Sequence, residues 1–312
     1  MTPAPAVAWD LACFSYLAHA QVLYVERYPQ ADHGTEVGSR WVSLAGDGPI
    51  TALTASALGL RVALVSNGVG HDTAGQTIRH QLASARVHHA APDQGAAART
   101  PNLTVITDGA GTRTWFADLT HAYASLHRAD TSPLAHARLA YVDCYRVLAD
   151  DAATAIKSAA AARVPLLLNL GNDPLHPAIE HAAHGAVLYA VQTGLPEQHH
   201  GQADATALEL MNRLNPYAVV ITLGAYGAWA RTRTECHRVP TRQITVANTH
   251  GAGAAFSAGL AAAYLDGCDL PTSLHRACAI GTDHCTSTTL LGSTPFPAPR
   301  IPAPPIKERT AP

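Results

Sequence analysis

Residues 244–259, ITVANTHGAGAAFSAG, place two glycines between a run rich in β-branched residues and an Ala-rich segment. Gly251 and Gly253 permit positive φ angles and close backbone approach, and Ala252 between them adds little bulk. If a helix begins here, its first N–H groups lack partners and point outward at the positive end of the helix dipole. That arrangement suits the negative charge of a phosphoryl group in transfer. The alternative is a plain strand-to-helix turn in which small residues allow close packing.

The composition excludes several classes of protein. The chain has 312 residues, 47% of them hydrophobic and 14% charged, which is enough apolar material for a large core. A formal net charge of −2 gives no electrostatic basis for binding nucleic acid or an anionic membrane. No apolar run approaches the roughly 18 residues of a membrane span, and no signal peptide is recognisable at the start. The six cysteines form no C-x-x-C pair, so we expect reduced thiols in a soluble cytoplasmic protein.

Short apolar runs alternate with helical segments along most of the chain, which predicts a doubly wound α/β fold with a mostly parallel sheet and helices on both faces. The predicted strands are 61–68, 137–145, 164–171, 185–191 and 218–224. The predicted helices are 72–85, 150–163, 205–214 and 253–266. Ligands of such sheets bind beyond the carboxyl ends of the strands, where the loops SNGVG, NLGND, TLGAYG and NTHGAG would meet.

Two segments depart from this pattern of alternating strands and helices. Residues 12–45 and 98–118 alternate polar and apolar side chains, and the second contains a GAG turn signal. We predict that both form antiparallel strands of a small β-sheet lid within a single domain spanning 1–294. The Pro-rich tail at 295–312 is predicted to be an extended or disordered end outside the core.

Three motifs resemble the signatures of the ribokinase-like (PfkB) family of carbohydrate and nucleoside kinases. The stretch NTHGAGAAFSAG is similar to the family pattern D-T-x-G-A-G-D-x-F-x-x-G. VVITLGAYGAWA resembles the T-L-G-x-x-G strand and turn, and residues 45–87 resemble the N-terminal signature. The matching positions are Thr249, Gly251, Ala252, Gly253, Phe256, Gly259, Thr222, Leu223, Gly224, Gly227, Gly46, Ala52, Leu58, Gly59, Gly70, Asp72 and Gly75.

The resemblance implies a function and a set of roles. Family members transfer the γ-phosphoryl of ATP, with Mg²⁺, to a hydroxyl of a sugar, nucleoside or similar small molecule. The resemblance implies an anion hole at Gly251, Ala252 and Gly253. A nucleotide site would include Thr222, Gly224, Gly227, Thr249, His250 and Gln192. An acceptor site would include Gly46, Asp47, Gly48, Asn67, His19 and Gln21. The β lid of the family closes over the acceptor and often doubles as a dimer contact, so a homodimer through the lid is expected.

The family's catalytic Asp, which takes the proton of the acceptor hydroxyl, corresponds to Ala254. A methyl group accepts no proton, and loss of a general base costs about 10²–10⁴ in rate, so the chain is expected to be nearly inactive. Three explanations stay open: a natural pseudokinase that binds small molecules or a partner, a kinase that uses another base, or an active enzyme whose Asp was replaced by Ala to trap substrate.

Other positions also differ from the family pattern. The acceptor-binding Asp corresponds to Ala20, flanked by His19 and Gln21, and the Asn of the G-G-x-x-x-N segment corresponds to Ile50. In the N-x-x-E motif, Gln192 takes the Asn position. Glu197 is an approximate substitute for the acid and would reach Mg²⁺ through water. We therefore expect an unusual acceptor, such as a modified sugar or a nucleoside.

Several residues have structural alternatives. His250 and Asn67 are either ligand contacts or turn residues, and Asp47 is either a hydroxyl ligand or a turn former. Arg99 and Arg113 flank the predicted lid hairpin and are either solvated or directed at an anionic acceptor. The pairs His181/His184 and His199/His200 lack a third metal ligand. A dinucleotide-binding interpretation of the glycine loop fails because the loop lies near the C-terminus and no strand and acid follow at the required distance.

Overall fold

The structure is a computed structural model, and it describes residues 7–93, 95, 98–108 and 112–289. Two β-sheets and the helices that cover them make up this part of the chain. The large sheet contains β1 (Trp9–Phe14), β4 (Val62–Val65), β5 (His88–Ala90), β8 (Ala137–Asp143), β9 (Leu166–Asn169), β10 (Leu188–Gly194), β11 (Ala218–Thr222), β12 (Ala228–Arg231) and β13 (Cys236–Val239). The small sheet contains β2 (Ala18–Val25), β3 (Val37–Ala45), β6 (Asn102–Thr107) and β7 (Arg113–Asp118).

Helices cover both faces of the large sheet, as predicted. They are α1 (Asp47–Ala57), α2 (Thr73–Ser84), α3 (Thr120–Leu126), α4 (Ser132–Ala135), α5 (Ala149–Ala161), α6 (Pro177–Ala183), α7 (Ala203–Leu214), α8 (Ala252–Leu265) and α9 (Leu270–His284). One core contains α1, α2, α8 and α9, and the core on the opposite face contains α4 to α7. Neighbouring residues of β1 alternate between them, because successive side chains of a strand point to opposite faces: Leu11 belongs to the first core and Ala12 to the second.

The strand order of the large sheet is β13-β12-β11-β10-β9-β8-β1-β4-β5. In this order, every neighbouring pair from β11 across to β5 is parallel, whereas β12 and β13 add an antiparallel edge. From β1 the chain builds outward to β4 and β5 on one side and from β8 to β11 on the other. The order therefore reverses between β1 and β8, and a crevice at their carboxyl ends is the expected ligand site of this topology.

The lid begins later than predicted. Residues 12–14, assigned from sequence to the small sheet, belong to β1, which pairs in parallel with β4 and β8 near the middle of the large sheet. The strand is central because Leu11 through Phe14 are buried on both faces. The small sheet starts at Ala18, and its strands are not all antiparallel, since β2 pairs in parallel with β6.

The hairpin of β6 and β7 is antiparallel, which confirms that part of the lid prediction. The GAG turn at 109–111 and the Pro-rich tail at 295–312 lie outside the described residues. In the described chain all six cysteines are free, with Cys13, Cys144 and Cys278 buried. None of the helices described here is long and apolar enough to cross a membrane.

Asn67 links the lid to the large sheet. It follows β4 and is fully buried, and its side-chain oxygen accepts a hydrogen bond from the Leu17 N–H (2.8 Å). Its side-chain nitrogen lies 2.9 Å from the carbonyl oxygens of both Leu17 and Gly68. Leu17 precedes the first lid strand, so Asn67 satisfies both backbone groups of the connection between the two sheets.

We expect Asn67→Ala to lower the free energy of unfolding by about 2–3 kcal/mol, because two buried backbone groups of Leu17 lose their partner. Chemical denaturation measures the effect. The control is Asn212→Ala on the exposed face of α7, where the change should stay within about 0.5 kcal/mol. Equal stabilities of the two variants would contradict the proposed link.

Candidate functional site

The glycine loop forms the start of α8. Gly251 is the N-cap residue with φ of 81°, a conformation that favours glycine. A Cβ at this position would lie 2.8 Å from Ile50 Cδ1 and 3.3 Å from His284 Nε2. The loop can therefore lie directly on α1 only while residue 251 has no side chain.

The first turn of α8 leaves backbone donors open. The Ala252 N–H bonds to the Thr249 carbonyl (3.3 Å), and the Ala255 N–H begins the regular helix by bonding to the Gly251 carbonyl (2.9 Å). Between them, the N–H groups of Gly253 and Ala254 have no hydrogen-bond acceptor in the described part of the chain. A Cβ at Gly253 would meet nothing within 4 Å, so the space beside Gly253 is open, whereas Ala254 is buried. Two unpaired N–H groups at a helix N-terminus can bind an anion.

Ala254 itself is fully buried, and its carbonyl accepts a hydrogen bond from Thr51 Oγ1 of α1 (3.1 Å). Gln192 at the end of β10 is also buried and packs beneath the same turn. Its side-chain oxygen accepts from Ser257 Oγ (2.9 Å), and its nitrogen lies 3.5 Å from the Gly253 carbonyl. The structure thus brings Gln192 to the glycine loop, where it supports the helix start.

His250 joins the loop to its neighbours. Its Nε2 lies 2.8 Å from the Leu44 carbonyl, and its own carbonyl accepts from His284 Nε2 (2.7 Å). Since a carbonyl only accepts, the Nε2 of His250 carries the hydrogen. Burial lowers the pKa of His250 to about 4, so the ring is neutral near pH 7.

Arg113 connects the lid to the same loop. Its guanidinium donates to the Thr249 carbonyl (3.0 Å) from the first residue of β7. The Thr249 side-chain oxygen is buried and has no hydrogen-bond partner in the described chain. The Arg113 guanidinium and the unsatisfied Thr249 hydroxyl therefore both lie at Thr249. This residue is four positions before Gly253 and five before Ala254.

Thr222, Gly224 and Gly227 form a tight turn after β11. Gly227 has φ of 91°, and a Cβ there would lie 2.0 Å from the Val239 carbonyl oxygen. The Leu223 N–H bonds to the Gly227 carbonyl (2.8 Å). Glu197 lies beside this turn but is exposed and accepts from the Tyr226 hydroxyl (2.5 Å).

A buried acid at the switch point was missed by the sequence analysis. Asp143 ends β8 and is 0% exposed, although a carboxylate in the interior requires partners. Its Oδ2 accepts from the Gly48 N–H (2.8 Å), and its Oδ1 accepts from the Tyr141 hydroxyl (2.6 Å) and from Asn169 Nδ2 (2.9 Å). Its sequence signal was an acid directly after the apolar run LAYV of β8.

Asp47, the first residue of α1, reaches the same amide. Its Oδ2 lies 3.1 Å from Asn169 Nδ2, so Asp47 and Asp143, called the acid pair below, converge on one nitrogen. Burial, and secondarily the charge of Asp47, raises the pKa of Asp143 to about 7. Gly46 makes this corner possible: its φ is 98°, and a Cβ there would lie 2.1 Å from the Tyr16 carbonyl oxygen.

The structure does not bring His19 and Gln21 to the glycine loop. Both line a polar cavity of about 340 Å³ with Asp72, Asn102 and His121, and none of its lining residues belongs to α1 or α8. They flank Ala20 on β2 and therefore point to the opposite face of the lid. Their predicted role in acceptor binding stays a prediction. The same holds for Asn67, whose side-chain amide forms hydrogen bonds with the Leu17 backbone.

Ala20 has polar neighbours across the strand pair. It is opposite Ser43 on β3, and Trp41 lies two residues earlier on the same face. Ser43 Oγ and Trp41 Nε1 are buried without a hydrogen-bond partner in the described chain. Unpaired buried donors are costly and call for a partner, which a bound polar molecule could supply.

Comparison with known proteins identifies a family. The model of the pfkB family of carbohydrate kinases matches residues 10–295. A search of curated proteins finds no match.

Solved structures share the fold. A microbiome-derived acarbose kinase is 19% identical, with a TM-score of 0.71 and coverage of 89% of this chain and 92% of that one. An Arabidopsis thaliana ribokinase complexed with ribose and ATP is 17% identical, with a TM-score of 0.71 and coverage of 92% and 96%. A Burkholderia thailandensis nucleoside kinase in complex with inosine is 15% identical, with a TM-score of 0.70 and coverage of 90% and 92%. At these identities the likeness confirms the ribokinase-like α/β fold and lid.

The raised pKa of Asp143 predicts a pH effect on stability. The folded state holds this proton up to about pH 7, whereas the ordinary pKa of the unfolded carboxyl is 3.8. The free energy of unfolding therefore decreases as the pH rises between these values. We expect the wild type to lose on the order of 2 kcal/mol relative to Asp143→Asn between about pH 5 and about pH 8.

Urea denaturation of both proteins across this pH range measures the difference. The histidines whose pKa is lowered by burial, such as His250 and His284, are common to both proteins and cancel in the comparison. Parallel pH profiles for wild type and variant would show that Asp143 is ionised in the folded state throughout.

Proposed function

Because the chain belongs to the pfkB family of carbohydrate kinases, we propose that it is an ATP-dependent phosphotransferase acting on a hydroxyl of a sugar, a nucleoside or a related small molecule. The observation that supports this proposal best is the pair of open N–H groups, of Gly253 and Ala254, at the start of α8. Gly253 borders open space, and ligands of such folds bind at the carboxyl-end side of the parallel sheet.

In the proposed reaction, Gly251, Ala252 and Gly253 form the anion hole. The N–H groups of Gly253 and Ala254 donate to the transferring phosphoryl, whose charge they stabilise without reorganising. Gln192 and Thr51 position this turn through their bonds to the Gly253 and Ala254 carbonyls. Arg113 adds positive charge from the lid, at the Thr249 carbonyl.

The nucleotide would lie along the turn of Thr222, Gly224 and Gly227, with Thr249 and His250 at its phosphate end. Mg²⁺ usually keeps several waters and binds through one or two carboxylates plus substrate phosphates. The described residues contain no group of three or more His, Cys, Asp or Glu that could bind a metal, and the exposed Glu197 fits contact through water. Bound there, Mg²⁺ would neutralise phosphate charge. Use of ATP and the free cysteines favour a cytoplasmic location.

The acceptor would lie between the lid and the acid pair. Gly46, Asp47 and Gly48 border this space from α1, and the unpaired Ser43 Oγ and Trp41 Nε1 lie on the lid beside Ala20. Carboxylates accept hydrogen bonds from hydroxyl groups, Trp41 Nε1 can donate, and Ser43 Oγ can donate or accept, so a polyol-like molecule fits the set. Solved structures of this fold include an acarbose kinase, a ribokinase complexed with ribose and ATP and a nucleoside kinase in complex with inosine, which supports this class of acceptor.

Ala254 favours a second candidate. If no other group accepts the proton, the rate falls by about 10²–10⁴. The chain would then be a pseudokinase that binds nucleotide or a small molecule, or an enzyme in which Asp was exchanged for Ala. Both candidates bind nucleotide through the glycine loop, and they differ in turnover.

Nucleotide binding is tested at Gly253, where a side chain has room but would enter the anion hole. We expect Gly253→Val to leave the melting temperature nearly unchanged and to weaken ATP binding at least about tenfold, with adenosine binding unaffected. Calorimetric titrations with ATP and adenosine measure this. Gly34→Val, at another open glycine, is the matched control, and Gly251→Ala should instead destabilise the fold. Unchanged ATP affinity in Gly253→Val would remove the anion hole from the proposal.

We also propose that the lid joins two copies of the chain. Trp115 and Phe116 on the edge strand β7 are 57% and 66% exposed, and exposed aromatic side chains at a sheet edge favour an interface.

Light scattering should give a dimer mass for the wild type and a monomer mass for the double variant Trp115→Ser/Phe116→Ser. Tyr217→Ser, which removes another exposed aromatic (56%) away from the lid, should remain dimeric. A wild type that is monomeric at about 50 µM would end this proposal.

A further inference from the structure

We propose that Asp47 accepts the proton of the acceptor hydroxyl, the role for which Ala254 has no chemical group. This inference rests on the proposed kinase function and names a catalytic residue for it. A general base must lie within hydrogen-bond reach of the reacting hydroxyl, which itself must lie beside the anion hole.

The first turns of α1 lie directly against the glycine loop. Thr51 Oγ1 donates to the Ala254 carbonyl (3.1 Å), and Ile50 Cδ1 approaches the space where a Cβ of Gly251 would be. Asp47 precedes Thr51 by four residues, so their side chains share one face of the helix, with Cβ atoms about 5–6 Å apart. Asp47 therefore lies one helical turn from the contact with Ala254.

Asp47 also reaches the switch point. Its Oδ2 and the Oδ1 of Asp143 both lie within hydrogen-bond distance of Asn169 Nδ2, so Asp47 borders the crevice in which ligands of this topology bind.

Hydrogen bonding distinguishes Asp47 from Asp143. Both oxygens of Asp143 are engaged, by the Gly48 N–H on one side and by Tyr141 and Asn169 on the other. In the described part of the chain, Asp47 has a single hydrogen-bond partner, Asn169 Nδ2 on its Oδ2. Its Oδ1 remains available for a ligand hydroxyl. Asp143 therefore acts as a positioning residue, and Asp47 accepts the proton.

Other candidates in the neighbourhood are less suitable. His250 donates its Nε2 hydrogen to the Leu44 carbonyl, and burial lowers its pKa to about 4. Gln192 has no proton-accepting function of this kind. Glu197 is exposed and bonded to Tyr226.

The step balances without a further reactant. The acceptor oxygen forms a bond to the γ-phosphorus of ATP while its proton passes to the Asp47 carboxylate. The bond between the γ-phosphorus and the bridging oxygen breaks, and its electron pair leaves with ADP. The N–H groups of Gly253 and Ala254 face the charge that develops on the phosphoryl oxygens.

Four proteins test the assignment: the wild type, Asp47→Asn, Ala254→Asp and the double variant. Each is assayed for acceptor-dependent ADP formation with Mg²⁺, ATP and ribose, inosine or acarbose, and for ATP affinity by calorimetry. We expect Asp47→Asn to lower kcat by about 10²–10⁴ with little change in ATP affinity. Ala254→Asp should restore turnover in the Asp47→Asn background, which also shows that this background folds.

Asp150→Asn is the matched control, because Asp150 is an exposed acid in the first turn of α5, and its kcat should equal that of the wild type. A kcat of Asp47→Asn equal to that of the wild type would overturn the assignment. A wild type without turnover alongside an active Ala254→Asp would also overturn it, since the wild type would then have no catalytic base. If all four proteins bind ATP and none transfers phosphate to these acceptors, the kinase function itself fails and this inference with it.

Discussion

The packing of α1 against the start of α8 is the contact on which the site depends. Gly251 can lie on Ile50 only because it has no Cβ, and Thr51 completes the contact through the Ala254 carbonyl. This contact sets the distance between the unpaired N–H groups of α8 and the first turn of α1. A side chain at residue 251 would push the two helices apart and would change this distance.

The second constraint is the cost of buried charge. Asp143 occupies the end of a central strand, where only dense hydrogen bonding makes a carboxyl tolerable, and its pKa rises accordingly. The same Asn169 amide reaches Asp47, so one side chain holds both acids in place. Such paired acids can divide the work of positioning and proton transfer, because their environments differ.

Side-chain hydrogen bonds attach the lid to the rest of the protein. Asn67 satisfies the backbone of Leu17 where the chain leaves the large sheet. Arg113 bonds to the Thr249 carbonyl and so connects the edge strand of the lid to the glycine loop. Motion of the lid would therefore disturb the hydrogen bond at Thr249, two residues before the N-cap of α8.

Sequence alone determined the fold class, the lid hairpin and the glycine loop, because periodicity and glycine patterns are local signals that survive without a structure. It misplaced residues 12–14, since four consecutive buried residues do not reveal which sheet contains them. It also passed over Asp143, and it did not reveal that His19 and Gln21 line a cavity away from the glycine loop. Only the tertiary structure decided these points, because the switch point between β1 and β8 joins residues far apart in the chain, and strand pairing decides which face each side chain occupies.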